Sequence, residues 1–183
     1  MKRKLLVLSV LAICLATLAA GTIAYFNSEG KAHNVITTGG VEITVQEWAD
    51  EAKTAPFEDL TGVMPNTTVT KIAEIKNTGA SDAWVRVKVE KNIKLQGEGT
   101  PETSLVELTR SANHWTEKDG CYYYTKPLKP GEVTAPIFTA VTFNANMGNE
   151  YQNATATVDV FAQAVQTANN GATVMDAQGW PKA

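Results

Sequence analysis

The stretch AWVRVKVEKN, residues 83–92, decides the fold class. Ala83, Val85, Val87 and Val89 fall on one side of an extended chain, and Trp84, Arg86, Lys88 and Glu90 on the other. That period of two marks a half-buried strand. Just upstream, VTKIAEIKN (69–77) reads as a strand with imperfect alternation, and the NTGASD segment (77–82) between the two is turn chemistry. Two strands flanking so short a turn predict a hairpin.

Working outward, VEITVQ (41–46) sets Val41, Ile43 and Val45 against Glu42, Thr44 and Gln46, another strand with one buried face. Residues 48–65 mix Asp, Glu, Gly and two prolines without a period and predict a long surface loop, with at most a helical turn. Residues 96–103 form a second polar loop. Asp119-Gly120 separates HWTEK from CYYYT and is the two-residue signal of a type I′ hairpin, in which both turn positions take positive φ. After Pro130-Gly131, PIFTAVTF (136–143) is apolar on both faces and predicts a strand in the middle of a sheet. In TATVDVFAQAVQ (155–166), Ala156, Val158, Val160, Ala162 and Ala164 alternate with Thr157, Asp159 and Gln163. The second half of this run leaves a helix open, but its β-branched residues favour a strand. With about seven strands, turn signals between them and no long helix, the expected fold is all-β: an antiparallel, jelly-roll-like β-sandwich. A single domain is expected over 41–183.

Ahead of it, MKRKLLVLSVLAICLATLAAGTIAYF places Lys2, Arg3 and Lys4 before an apolar run over 5–20, which ends in Ala19, Ala20, Gly21, Thr22 and Ala24. This is the pattern of a secretory signal, here a signal helix over 1–24, with cleavage between Ala24 and Tyr25 and a rival cut after Ala20. The alternative is an uncleaved anchor, because residues 5–26 come close to the roughly 20 that a bilayer core requires. Both readings leave the rest of the chain outside the cell, touching the membrane only through the signal segment. Cys14 lies inside the apolar run and follows Ile13, where a lipoprotein signal would have a small residue. Loss of residues 1–24 removes three of the 16 basic residues and none of the 19 acidic ones, leaving 13 against 19, a net charge of −6. That balance gives no electrostatic basis for binding nucleic acid. One cysteine, Cys121, remains after cleavage, so no disulfide within the chain is expected and packing must hold the domain together.

Residues that would carry catalysis do not gather. The two histidines, His33 and His114, lie far apart and form no HExxH; no GxSxG turn or Gly-rich phosphate loop is present. Glu47, Asp50, Glu51, Glu58 and Asp59 supply carboxylates but lack the alternating spacing of a calcium loop, so a solvated acidic loop is the simpler reading. The run Tyr122, Tyr123, Tyr124 suits either a sugar-stacking platform or aromatic pairing between strands, and the second needs nothing beyond good strand formers. No enzymatic activity, cofactor or metal is expected.

Residues 21–48, GTIAYFNSEGKAHNVITTGGVEITVQEW, resemble the start of exported Gram-positive proteins processed by a SipW-type signal peptidase. In these a G-T-x-A-x-F signal end precedes an N-x-[IF]-x-x-G-x-V-x-I-x-[LV] segment. CYYYTKPLKPGEVTAPIFTAVTF (121–143) and VFAQAVQ (160–166) are also similar to the TasA and camelysin (CalY) family. The resemblance implies a secreted subunit of the biofilm matrix or of cell-surface fibres that polymerises with itself, alone or with other matrix proteins. It further implies that the arm over 25–40 donates a strand, with Tyr25, Phe26, Val35 and Ile36 as the donor residues. An arm that cannot bury itself locally offers main-chain hydrogen bonds to an open sheet edge. Camelysin-like proteins have also been described as metallopeptidases, so a surface metallopeptidase is one alternative, and a monomeric glycan-binding module is another. No LPxTG-like motif stands near QGWPKA, so covalent attachment to the wall is not expected.

Overall fold

The computed structural model describes residues 36–37, 40–58 and 64–181. The signal segment, its cleavage point at Ala24 and Tyr25, the donor residues Phe26 and Val35, and His33 and Asp59 lie outside the described residues. Nine strands follow in order: β1 (Ile36–Thr37), β2 (Ile43–Trp48), β3 (Thr67–Asn77), β4 (Ala83–Lys94), β5 (Val106–Arg110), β6 (Trp115–Lys118), β7 (Cys121–Tyr124), β8 (Phe138–Phe143) and β9 (Thr155–Gln166). They form two sheets, β1-β9-β4-β7-β6 and β2-β3-β8-β5. All described pairings are antiparallel except β1 with β9, which is parallel.

The nesting β9-β4-β7 in one sheet and β3-β8-β5 in the other is that of a jelly roll, in which early strands pair with late ones. The departures are local. β2 pairs with its sequence neighbour β3, and β6 with β7. The expected sandwich is thus the observed one, with the β6–β7 hairpin turning at Asp119 (φ 52°) and Gly120 (φ 74°). Both central residues have the positive φ that a type I′ turn demands.

One core lies between the sheets. Alternation carries Ile43 and Val45 from β2, Ile75 from β3, Val85 and Val87 from β4, Phe138 and Val141 from β8 and Val160, Ala162 and Ala164 from β9 into it. Burying each large aliphatic or aromatic group contributes about 1.5–3 kcal/mol. β8 runs between β3 and β5, as its two apolar faces suggest.

The predicted hairpin between 69–77 and 83–92 does not form. β3 and β4 belong to different sheets, and the intervening turn is a corner of the sandwich. Each strand has a core face, and these two faces satisfy each other across the core better than side by side in one layer. Asn77, fully buried, holds the corner. Its Nδ2 donates to the carbonyls of Ser81 and Leu128, both at 2.8 Å, and its Oδ1 accepts from the Gly79 amide at 2.9 Å. Gly79 is required there because a Cβ would stand 2.6 Å from the Glu42 nitrogen.

The imperfect alternation in β3 also has a cause. A bulge between Thr70 and Ala73 shifts its register against β8, and a loop packs on the outer face of β3. Beneath that loop Glu74 receives Lys53 Nζ and Trp48 Nε1, while Lys71 pairs with Glu47 and lies 4.4 Å from the Phe57 ring centroid. Residues 49–58 are thus the expected surface loop, exposed along most of its length and tied to the sheet through Lys53 and Phe57. Sequence patterning also misses β5, whose five residues are too short to show a period.

Asn77→Ala should lower stability by about 1–3 kcal/mol, since it removes three hydrogen bonds of a fully buried side chain that ties Ser81, Leu128 and Gly79 together. A urea midpoint within error of the parent would refute the corner's role.

Candidate functional site

The sheet edges differ in how they are closed. The outer edge of β2 is met by a loop at its C-terminal end: the Glu47 carbonyl accepts from the Phe57 amide, and the Ala49 amide donates to the Ala55 carbonyl. β5 and β6 are short, with Glu107 and Arg110 on one and Glu117 and Lys118 on the other. β4 pairs with β7 only at Arg86 and Val87, which leaves its 88–94 stretch paired on the β9 side alone among the described residues. That stretch carries Lys88, Glu90, Lys91 and Lys94. Lys91 alternates with Val89 and Ile93 and turns inward, where its Nζ donates to the Val106 carbonyl at 2.7 Å. Desolvation, reinforced by nearby Arg110, holds its ammonium below the usual lysine range. Short length, charge and inward lysines are the devices that keep an edge from recruiting another strand.

β9 has none of these protections. It is 12 residues long, paired with β4 along its whole length, and contains one formal charge, Asp159. Its other edge is engaged by β1 alone among the described residues, with Ile36 opposite Gln163 and Thr37 opposite Ala164. Residues 155–162 have no strand on that side among the described residues. Thr155, Thr157, Val158, Val160 and Phe161 make this a strong β-former with a row of backbone donors and acceptors along its rim. Of the sequence-expected donor residues, Ile36 is the one described, and its backbone lies in a strand added to this edge.

The outer face of the β9–β4 sheet is not wet at this end, contrary to the two-face reading of residues 83–92. Trp84 is buried, and with Val165 it is covered by Val174 and Ala177 from residues 167–181, with Tyr123 and Trp180 packed alongside. The alternation in β4 gave no hint of this cover. The only signal for it was the apolar and aromatic content of TVMDAQGWP itself.

The remaining candidates are dispersed. His114 is exposed at a left-handed backbone position (φ 63°), and its carbonyl accepts from the Thr125 amide. Asp50 is spent on its own turn, its carboxylate accepting from the amides of Thr54 and Ala55. No group of three or more His, Cys, Asp or Glu that could hold a metal occurs among the described residues. The three tyrosines do not share one platform. Tyr124 packs in the core against Trp115 opposite it, 5.0 Å between ring centroids, which is the cross-strand pairing. Tyr123 meets Trp180 edge-on, and Tyr122 lies under the Arg110 guanidinium. Beside Tyr122 a cleft of about 210 Å³ is lined by Arg110, Ser111, Trp115, Glu117 and Ile137. Cys121 is half-exposed and unbonded. No described helix is long and apolar enough to cross a membrane. No family model, curated protein or solved structure matches the chain.

Two outcomes follow from this geometry. The Ala55 amide, then that of Thr54, holds the Asp50 carboxyl below its ordinary value of 3.8. A depressed carboxylate stabilises its turn above that value and loses the effect as pH falls through the lower, folded one. The amide resonances of Thr54 and Ala55 should therefore stay fixed from pH 7 to pH 5 and move only below 3.8. Movement centred near pH 5 would show that the carboxylate is not engaged. Separately, Lys91→Val strips the inward charge from the β4 edge and should increase self-association in sedimentation velocity; an unchanged distribution would mean that the lysine does not guard that edge.

Proposed function

We propose that this chain is an exported, non-enzymatic structural subunit of a biofilm matrix or cell-surface fibre, which polymerises by giving its N-terminal segment as a strand to a neighbouring copy. The observation that carries this reading is the parallel addition of Ile36–Thr37 to the β9 edge. It supports the view that the chain just ahead of the sandwich has the sequence and reach to act as a sheet strand, and that this edge accepts one.

A strand donated in the register of β1 would run on along residues 155–162 of β9. In one chain that pairing closes the edge; between two chains it links them. Exchange of a segment between identical subunits is a low-cost route to association, because the contacts made are the ones already used within one subunit. Each copy has one donor segment and one acceptor edge, so the contact is head-to-tail and extends into a filament unless the rotation closes a ring. The main-chain bonds supply affinity, and the alternating side chains of the donor supply selectivity.

Cleavage by a SipW-type signal peptidase after Ala24 supports the same mechanism, because it frees Tyr25 and Phe26 at the tip of the donor. Other matrix proteins with an open edge of similar character would be able to join the same filament. The likeness of residues 21–48, 121–143 and 160–166 to TasA and camelysin-type proteins agrees with this reading.

Protein beginning at Tyr25 should form filaments visible by electron microscopy at high concentration, and deletion of residues 25–32 should abolish them while leaving the circular dichroism of the sandwich unchanged. Filaments of equal abundance from the deleted chain, or none from the intact one, would sink the proposal.

A further inference from the structure

The face of β7 that enters the core continues beyond it. Tyr124 is buried in the core, and Trp115 packs against it from the neighbouring strand. One alternation further along the same face of the hairpin, Tyr122 stands opposite Glu117. There the hairpin borders the cleft of about 210 Å³, to which Arg110 at the end of β5, Ser111 after it and Ile137 ahead of β8 contribute the remaining walls. β5 and β6 each end their sheet, so the cleft lies at the rim of the sandwich.

These walls are held in place by the protein itself. The Arg110 guanidinium lies 4.8 Å from the Tyr122 ring centroid and donates to the Glu117 carboxylate at 3.0 Å. The Trp115 indole is fixed by donation from its Nε1 to the Ala135 carbonyl at 3.0 Å and by the Tyr124 ring beside it. Ile137 is buried and adds aliphatic surface. Arg110 and Glu117 remain about half exposed, at 53% and 54%, so their ion pair does little for stability. A guanidinium and a carboxylate offer more donors and acceptors than the bond between them uses, and the rest is open to a ligand. Side chains already fixed lose little freedom when a ligand arrives.

We propose that this cleft binds one neutral hexopyranose unit of an extracellular polysaccharide. Aromatic and aliphatic walls suit the C–H face of a sugar ring, and the paired guanidinium and carboxylate suit two neighbouring hydroxyls, one accepting from Arg110 and the other donating to Glu117. The opposite charges of that pair cancel, which disfavours an acidic sugar or a free anion. The volume is below the roughly 300–1,000 Å³ of pockets for drug-sized ligands, so the cleft admits a single ring. An apolar side chain from a protein partner would cover the same walls but would desolvate Arg110 and Glu117 without supplying hydroxyls in return, the costlier outcome. The proposal does not depend on strand donation: β4 and β7 separate this rim from β9, and the cleft serves a single chain or a polymer alike. In a polymer, repetition of a weak site along the fibre would raise the overall avidity for a polysaccharide chain.

Saturation-transfer NMR observed on the ligand, which tolerates assembled protein, tests this with the full chain and the methyl glycosides of glucose, galactose and mannose. At least one glycoside should receive magnetisation, with a dissociation constant in the millimolar range. Arg110→Lys keeps the charge but loses the planar fork, and Glu117→Gln exchanges an acceptor oxygen for a donor; each should weaken binding roughly fivefold or more. Both positions are half exposed, so both variants should melt as the parent does. Tyr123→Phe, on the opposite face of β7, should leave binding unchanged, and a loss there would place the site elsewhere. Absence of transfer to all of these sugars, or undiminished binding in both cleft variants with melting curves showing both folded, would overturn the proposal. So would transfer confined to phenylalanine amide, added as an apolar probe, because it would assign the cleft to a side chain of a protein partner. Filament formation is read separately by electron microscopy, so failure of polymerisation and failure of sugar binding are distinct results.

Discussion

The pairing of β4 with β9 is the constraint on which the rest of the structure depends. Twelve consecutive residue pairs join Ala83–Lys94 to Thr155–Gln166, two segments 60 residues apart in sequence. Their inner faces supply Val85, Val87, Val160, Ala162 and Ala164 as one wall of the core, against which the second sheet lays Ile75, Phe138 and Val141. Because the start of β4 is taken by β9 on one side and by β7 and Leu128 on the other, it has no place there for β3, and the chain between them turns a corner. Closing so long a loop costs entropy, which the twelve-residue ladder and the core beneath it must offset.

The same pairing creates the asymmetry on which the functional reading turns. One side of β9 is satisfied by β4, so its free hydrogen-bonding capacity faces a single direction, and that is where β1 lies. Two of the other edges, β5 and β6, are short and charged, and that of β2 is met by a loop at its C-terminal end. Edge protection costs stability, as the desolvated ammonium of Lys91 illustrates, and a chain that bears this cost on β4 while leaving β9 nearly uncharged treats the two edges differently. Among the described residues, β9 is thus the long, nearly uncharged edge, and β1 is the strand set against it.

The outer faces of both sheets are also covered more than an isolated sandwich requires. Residues 49–58 reach buried Glu74 through Lys53 and set Phe57 beside the buried Lys71–Glu47 pair on one side, and residues 167–181 shelter Trp84 and Val165 on the other. Buried ion pairs contribute little net stability, but breaking one by removing a single partner is costly, so they favour one placement of the covering loop over others.

By itself the sequence determined what depends on neighbours along the chain. The period of two in residues 83–92 and 155–166 gave the strands, Asp119-Gly120 gave the type I′ turn, and the two apolar faces of residues 136–143 gave a central strand, because alternation and turn dihedrals are local properties. Tertiary structure alone decided what depends on which surfaces meet. The NTGASD turn is compatible with a hairpin or a sandwich corner, and the choice fell to the corner because β4 is claimed by β9. Trp84 and Arg86 read as solvent-facing until residues 167–181 arrive over them. The edge position of β9, which among the described residues meets only β1 on one side, was legible only as a run of β-formers with little charge. Whether such a run lies at the centre or the rim of a sheet is settled by its partners, and those are brought together by a core that no single segment encodes.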